Sequence, residues 1–93
     1  MDVREITPDL ARQFQISPHE TGVIVVEVIP ESPAAQAQIH PGDVISELNR
    51  IEIRTLDDYR QALDISQRDQ MLVMLIRRQG KLLYTIMNLS PPE

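Results

Sequence analysis

Cysteine is absent from the chain. That removes disulfides, thiolate metal sites and a thiol nucleophile together. Tryptophan is absent too, and the aromatics come to Phe14, Tyr59 and Tyr84, so the core is expected to be aliphatic. No apolar run reaches the ~18 residues of a membrane span. Asp2, Arg4, Glu5, Asp9 and Arg12 interrupt the first fifteen residues, which therefore do not read as a signal-peptide apolar region. No membrane insertion by this chain is expected. The three glycines are isolated and cannot build a phosphate-cradling loop. No basic stripe is present in a chain of net charge −5, so nucleic acid is not an expected partner.

Catalytic grammar is equally sparse. His19 sits in a polar stretch and His40 precedes Pro41-Gly42, neither in a recognisable triad context. No Gly-x-Ser-x-Gly elbow occurs. Asp57-Asp58 reads as first-turn acids at a helix N-terminus, where the macrodipole favours anions. Asp43 reads as a carboxylate that fixes the Pro41-Gly42 turn. The pair Arg77-Arg78 reads as a solvated hairpin end. No catalytic residue, metal ligand or cofactor is expected.

What is present is a string of short elements. Ninety-three residues make one domain with one modest core. Val3 to Ile6 is a short strand candidate. Thr7-Pro8-Asp9 is an N-cap, an N1 proline and a first-turn acid, opening a helix over 8–15 with Leu10 and Phe14 inward. Residues 22–29 form the strongest strand, β-branched and nearly continuous in apolar character, so both faces are expected to be covered. Ser32-Pro33-Ala34-Ala35 repeats the cap and opens a helix ending near Gln38. Residues 44–48 read as a strand, Asn49-Arg50 as a turn, and Ile51 to Ile53 as a short strand. Thr55 and Asp58 form a capping-box pair for a helix to about Ile65, with Leu56, Tyr59 and Leu63 on one apolar face. Met71 to Ile76 reads as a second buried strand, with Met71 and Met74 on opposite sides. Gln79-Gly80 turns the chain into a returning strand over 82–89, which Pro91-Pro92 stops. The resulting order implies an α+β barrel or sandwich of mainly antiparallel strands.

The stretch from Val26 to Asn49 strongly resembles the central motif of bacterial PDZ domains: strand, Ser-Pro-Ala-Ala helix, Gly-Asp-Val-Ile strand, Asn turn. Residues 55–63 resemble the groove helix of that family, and residues 73–86 its closing hairpin. The opening Val3 to Ala11 resembles the start of a PDZ domain of HtrA/Deg-type serine proteases, and within these the second, C-terminal one. The resemblance covers essentially the whole chain. It implies a small β-barrel or sandwich of five to six strands with two to three short helices, in the circularly permuted bacterial topology. It implies a PDZ domain over 1–89 and a disordered tail over 90–93.

The resemblance also implies a function: a non-catalytic module excised from a trypsin-like serine endopeptidase. Such a module recognises C-terminal or extended hydrophobic segments of misfolded proteins and regulates the attached protease. The alternative is a structural PDZ that mediates inter-domain or cage assembly. Expected partners are peptide or unfolded segments, the protease domain and neighbouring PDZ domains, in the periplasm or envelope of a bacterium. The peptide site is expected at Met1, Asp2, Val3 and Arg4, facing Asp58 and Ala62 with Tyr59 at the edge. Leu56 and Leu63 are assigned mainly to the core, and the pocket beneath Ala62 to an apolar side chain. Two departures from the family pattern stand out. Gln38 replaces the usual glycine of a left-handed helix cap, so either that geometry costs roughly 1 kcal/mol or the turn differs. Met1 aligns with the last position of the carboxylate-binding loop, placing that loop's glycine before residue 1.

Overall fold

Three helices begin where side chains can hold orphan backbone N–H groups, and a sheet of short strands forms between them. In a computed structural model, residues 1–17, 19–66 and 69–88 are described. The expected tail over 90–93 and the strand end at Leu89 lie outside them. The order is β1 (Asp2–Glu5), α1 (Pro8–Gln13), β2 (Val23–Glu27), α2 (Pro33–Gln36), β3 (Val44–Leu48), β4 (Ile51–Glu52), α3 (Leu56–Ile65), β5 (Met71–Arg78) and β6 (Lys81–Asn88). The sheet runs β1-β2-β3-β5-β6, with β4 paired to β3, and every pairing is antiparallel.

Each helix start follows from its cap. Thr7 accepts the Leu10 N–H, Ser32 accepts the Ala35 N–H, and Thr55 accepts the Asp58 N–H while Asp58 accepts the Thr55 N–H. Proline occupies the start of α1 and α2, where its missing N–H costs nothing. Helix α1 stops two residues short of the expected Gln15, which has φ 58°. Its fully buried residue is Ala11; Leu10 and Phe14 are only half-buried. Two-residue turns at Asn49-Arg50 (φ 51° and 69°) and Gln79-Gly80 (φ 51° and 80°) have positive φ at both positions, matching the twist of a hairpin.

The core gathers Val23, Val25, Ile39, Ile45, Leu48, Ile53, Leu72, Met74 and Ile76 with smaller Ala34 and Ala62. Strand β2 is shorter than the expected 22–29: it is buried over Val23 to Val25, while Ile29, beyond its end, is exposed. Strand β5 is not the doubly covered strand expected. Leu72, Met74 and Ile76 point into the core, whereas Met71 and Val73 are exposed on the outer face. A run of six apolar residues hides its own alternation, so only the tertiary structure reveals which face is wet.

Two further assignments change. Arg78 is not a solvated hairpin end: its Nε and Nη2 reach Asp43 Oδ1 and Oδ2 at 2.9 and 2.8 Å, and Nη2 also donates to the Gln38 carbonyl. Arg77 Nη1 lies 2.9 Å from Glu20 Oε1. Asp43 does fix its turn, accepting the His40 N–H at 2.8 Å, and it is almost wholly buried.

Gln38 adopts φ 62°, the left-handed geometry that favours glycine, and its N–H is held by Ala35 O. Gln38→Gly is therefore expected to raise stability by about 1 kcal/mol. In a domain this size that is a rise in melting temperature of about 4–8 °C, readable by calorimetry.

Candidate peptide-binding site

Strand β1 is an edge strand. One side pairs with β2 through Val3↔Val25, Arg4↔Ile24 and Glu5↔Val23, and among the described residues its other side has no strand partner. Helix α3 lies along that side. The link between them is specific: Glu5 Oε1 accepts the Leu56 N–H at 3.1 Å, an orphan donor in the first turn of α3. A carboxylate there is also favoured by the helix dipole.

A pocket sits at each end of this groove. At the Met1 end, a pocket of about 430 Å³ is bounded by Met1, Tyr59 and Leu63, with Leu48, Leu72 and Met87 among its walls. At the Glu5 end, a wider depression of about 730 Å³ is bounded by Arg4, Leu10, Leu56 and Arg60, among others. The first is apolar and half enclosed by α3, the start of α2 and the sheet. The second has an apolar floor and a charged rim.

The expected β1 residues lie beside the groove, and Met1 and Arg4 line its pockets. The helix positions need correcting. Ala62 is wholly buried and belongs to the core cluster, and it lines neither of these two pockets. The Asp58 carboxylate accepts the N–H groups of Arg54 and Thr55 and is committed to the capping box. The groove face of α3 is instead Leu56, Tyr59 and Leu63, spaced i, i+3 and i+7. These side chains line pockets and also pack against the core. The apolar stripe was legible from the sequence. Ala62 misled because a small residue fits both a groove and a tightly packed core.

Tyr59 is the largest of these side chains. Burial pushes its phenol above the ordinary value, so it stays neutral at physiological pH and presents an apolar ring with one polar tip.

The rest of the surface offers little chemistry. Among the described residues no cluster of three or more His, Asp or Glu side chains is placed to hold a metal ion. No described helix is long and apolar enough to cross a membrane. His19 and His40 are exposed loop residues.

Comparison with known proteins agrees with this geometry. The PDZ domain family model matches residues 2–89. A putative serine protease HhoB from Synechocystis sp. is 32% identical over 83 residues, covering 82% of this chain and 20% of the relative. Other relatives of similar identity carry the description probable periplasmic serine endoprotease DegP-like. Among solved structures, the HtrA-type protease AlgW with decapeptide superposes with TM-score 0.78 at 26% identity, covering 99% of this chain and 29% of that one. The HtrA3 PDZ domain bound to the phage-derived ligand FGRWV superposes with TM-score 0.73 at 26% identity, covering 95% and 79%. The chain spans about a fifth of the curated relatives it matches. PDZ domains are non-catalytic modules, separate from the protease domain of such relatives. With the family match running almost end to end over a sheet whose first strand borders an apolar helix, this chain belongs to the PDZ family, and the relatives and solved structures named above are HtrA/Deg-type proteases.

Proposed function

We propose that the chain binds extended peptide segments by adding them as a strand to β1. Backbone groups along Met1, Asp2, Val3 and Arg4 hold the peptide, and an apolar side chain enters the pocket between Met1, Tyr59 and Leu63. The observation that carries this reading is the juxtaposition itself: an edge strand that has, among the described residues, no strand partner on its outer side, flanked by an apolar helix, with a pocket at the Met1 end. Main-chain hydrogen bonds supply affinity in this mode and the pocket supplies selection. The reading extends to a longer protein of the HtrA/Deg type. There the module captures hydrophobic C-termini or internal segments of misfolded proteins in the bacterial envelope and regulates the protease domain to which it is joined.

The test is an NMR titration of the chain with the pentapeptide FGRWV. Backbone shifts are expected at residues 1–5 and 56–63. Tyr59→Ala is expected to weaken binding about tenfold, the equivalent of ~1.4 kcal/mol. Shifts confined to other regions, or none at millimolar peptide, would sink the reading.

A further inference from the structure

The depression at the Glu5 end of the groove is built where three elements meet. Glu5 closes β1, Thr7 and Leu10 open α1, and Leu56 and Arg60 belong to the first turns of α3. Two hydrogen bonds pin these starts. Thr7 Oγ1 accepts the Leu10 N–H at 3.1 Å, and Glu5 Oε1 accepts the Leu56 N–H at 3.1 Å. The cavity is therefore preformed, with Leu10 and Leu56 half-buried on its floor.

Its distance from the pocket at the Met1 end matches the repeat of a strand. From Met1 to Glu5 the chain advances four residues, about 13 Å at ~3.3 Å each. A strand laid along β1 has the same rise, so its side chains at positions i and i+4 reach the two cavities. Those positions share a face, because side chains alternate with period two. In the antiparallel sense, which every pairing in this sheet takes, the added strand runs from the Glu5 end toward Met1. The rim then decides what the upstream side chain is. Arg60 is exposed and, among the described residues, has no hydrogen bond or ion pair, whereas Arg4 pairs with Asp2 at 3.2 Å. Glu5 and Asp57 share the rim with these cations, so a charged side chain of either sign meets a like charge there. An aromatic ring avoids that conflict. It covers Leu10 and Leu56 and offers its face to the Arg60 guanidinium.

We propose that the Glu5-end cavity is a second anchor site of the same groove. It takes an aromatic side chain four positions N-terminal to the apolar residue held between Met1, Tyr59 and Leu63. The inference rests on the groove reading above and narrows it to segments with an aromatic residue, three intervening residues and then an apolar one. At about 730 Å³ against about 430 Å³, the upstream cavity is the roomier of the two and admits a whole ring. Neither anchor uses a terminal carboxylate, so the pattern is readable inside a chain as well as at its end.

The test compares two peptides on the whole chain by titration calorimetry and NMR. FGRWV carries Phe and Val four positions apart; AGRWV keeps the Val anchor alone. FGRWV is expected to bind about tenfold more tightly, the equivalent of ~1.4 kcal/mol. Amide shifts along residues 1–4 are expected with both peptides, and those at Leu10 and Leu56 with FGRWV alone. Leu10→Ala is expected to cut the gap between the peptides to about twofold by removing the floor. Arg60→Ala, at an exposed position that folding does not depend on, is expected to cut it to about threefold. Equal affinities for the two peptides, or a tenfold gap that survives both substitutions, overturns the second anchor and leaves the groove reading standing. No binding of either peptide at about 1 mM, a free energy weaker than ~4 kcal/mol, removes both.

Discussion

Replacing Arg78 by alanine is expected to destabilise the domain by about 3–5 kcal/mol, the cost of stranding a buried charge. A small domain has only ~5–15 kcal/mol in total. The reason is which partner is left behind. Asp43 is 1% exposed and would keep only the His40 N–H. The converse change, Asp43→Ala, is expected to cost less, about 1–3 kcal/mol. The Arg78 side chain is already about one-third exposed and can turn to water. Arg78→Lys keeps the charge but loses the two-pronged fit to the carboxylate, so it falls between. The double variant is expected to cost less than the sum, because the second change removes a group the first had orphaned. Urea unfolding reads all four. Equal losses in the two alanine variants would refute the asymmetry.

Gly22→Ala is expected to cost about 2–5 kcal/mol, from backbone strain and overpacking acting together. Gly22 has φ 130°, a conformation L side chains rarely adopt. A Cβ there would stand 2.5 Å from the Ile45 carbonyl oxygen and 2.9 Å from Val44 Cγ1. The first neighbour is backbone and cannot swing aside. The residue immediately precedes the register Val23↔Ile45 and Ile24↔Val44, so relief would come by parting β2 from β3. Amide exchange is expected to quicken across Val23 to Ile45 before it does in the β5–β6 hairpin. Unchanged protection at Val23 and Ile24 would contradict the account.

Both sites show where reading a sequence stops. Caps are local, so Thr7-Pro8, Ser32-Pro33 and Thr55 with Asp58 announced three helix starts correctly. The turn at Asn49-Arg50 was equally plain. What the turn residue does afterwards was not. The Asn49 side chain donates to Ser66 Oγ and Asp69 Oδ2 and accepts the Val73 N–H, joining the end of α3 to β5. Partners so distant in sequence carry no periodic signal. The Asp43–Arg78 pair, 35 positions apart, was hidden for the same reason. In the groove, the apolar stripe of α3 was visible, but its direction was not. Leu56, Tyr59 and Leu63 face a cleft because β1, from the far end of the chain, lies there. Ala62 one step round the helix is small enough to touch the core.

The strand order also sets a timetable for synthesis. Strands β1, β2 and β3 occupy residues 2–48 and can pair with one another as they emerge. The second edge of β3 waits for β5, which begins only at Met71, beyond α3. At about 5–20 residues per second, the intervening stretch takes seconds to appear. Once β5 and β6 are out, their two-residue turn lets them pair within about 1–10 µs. Until β5 arrives, Val44 to Leu48 is a strand with one side open.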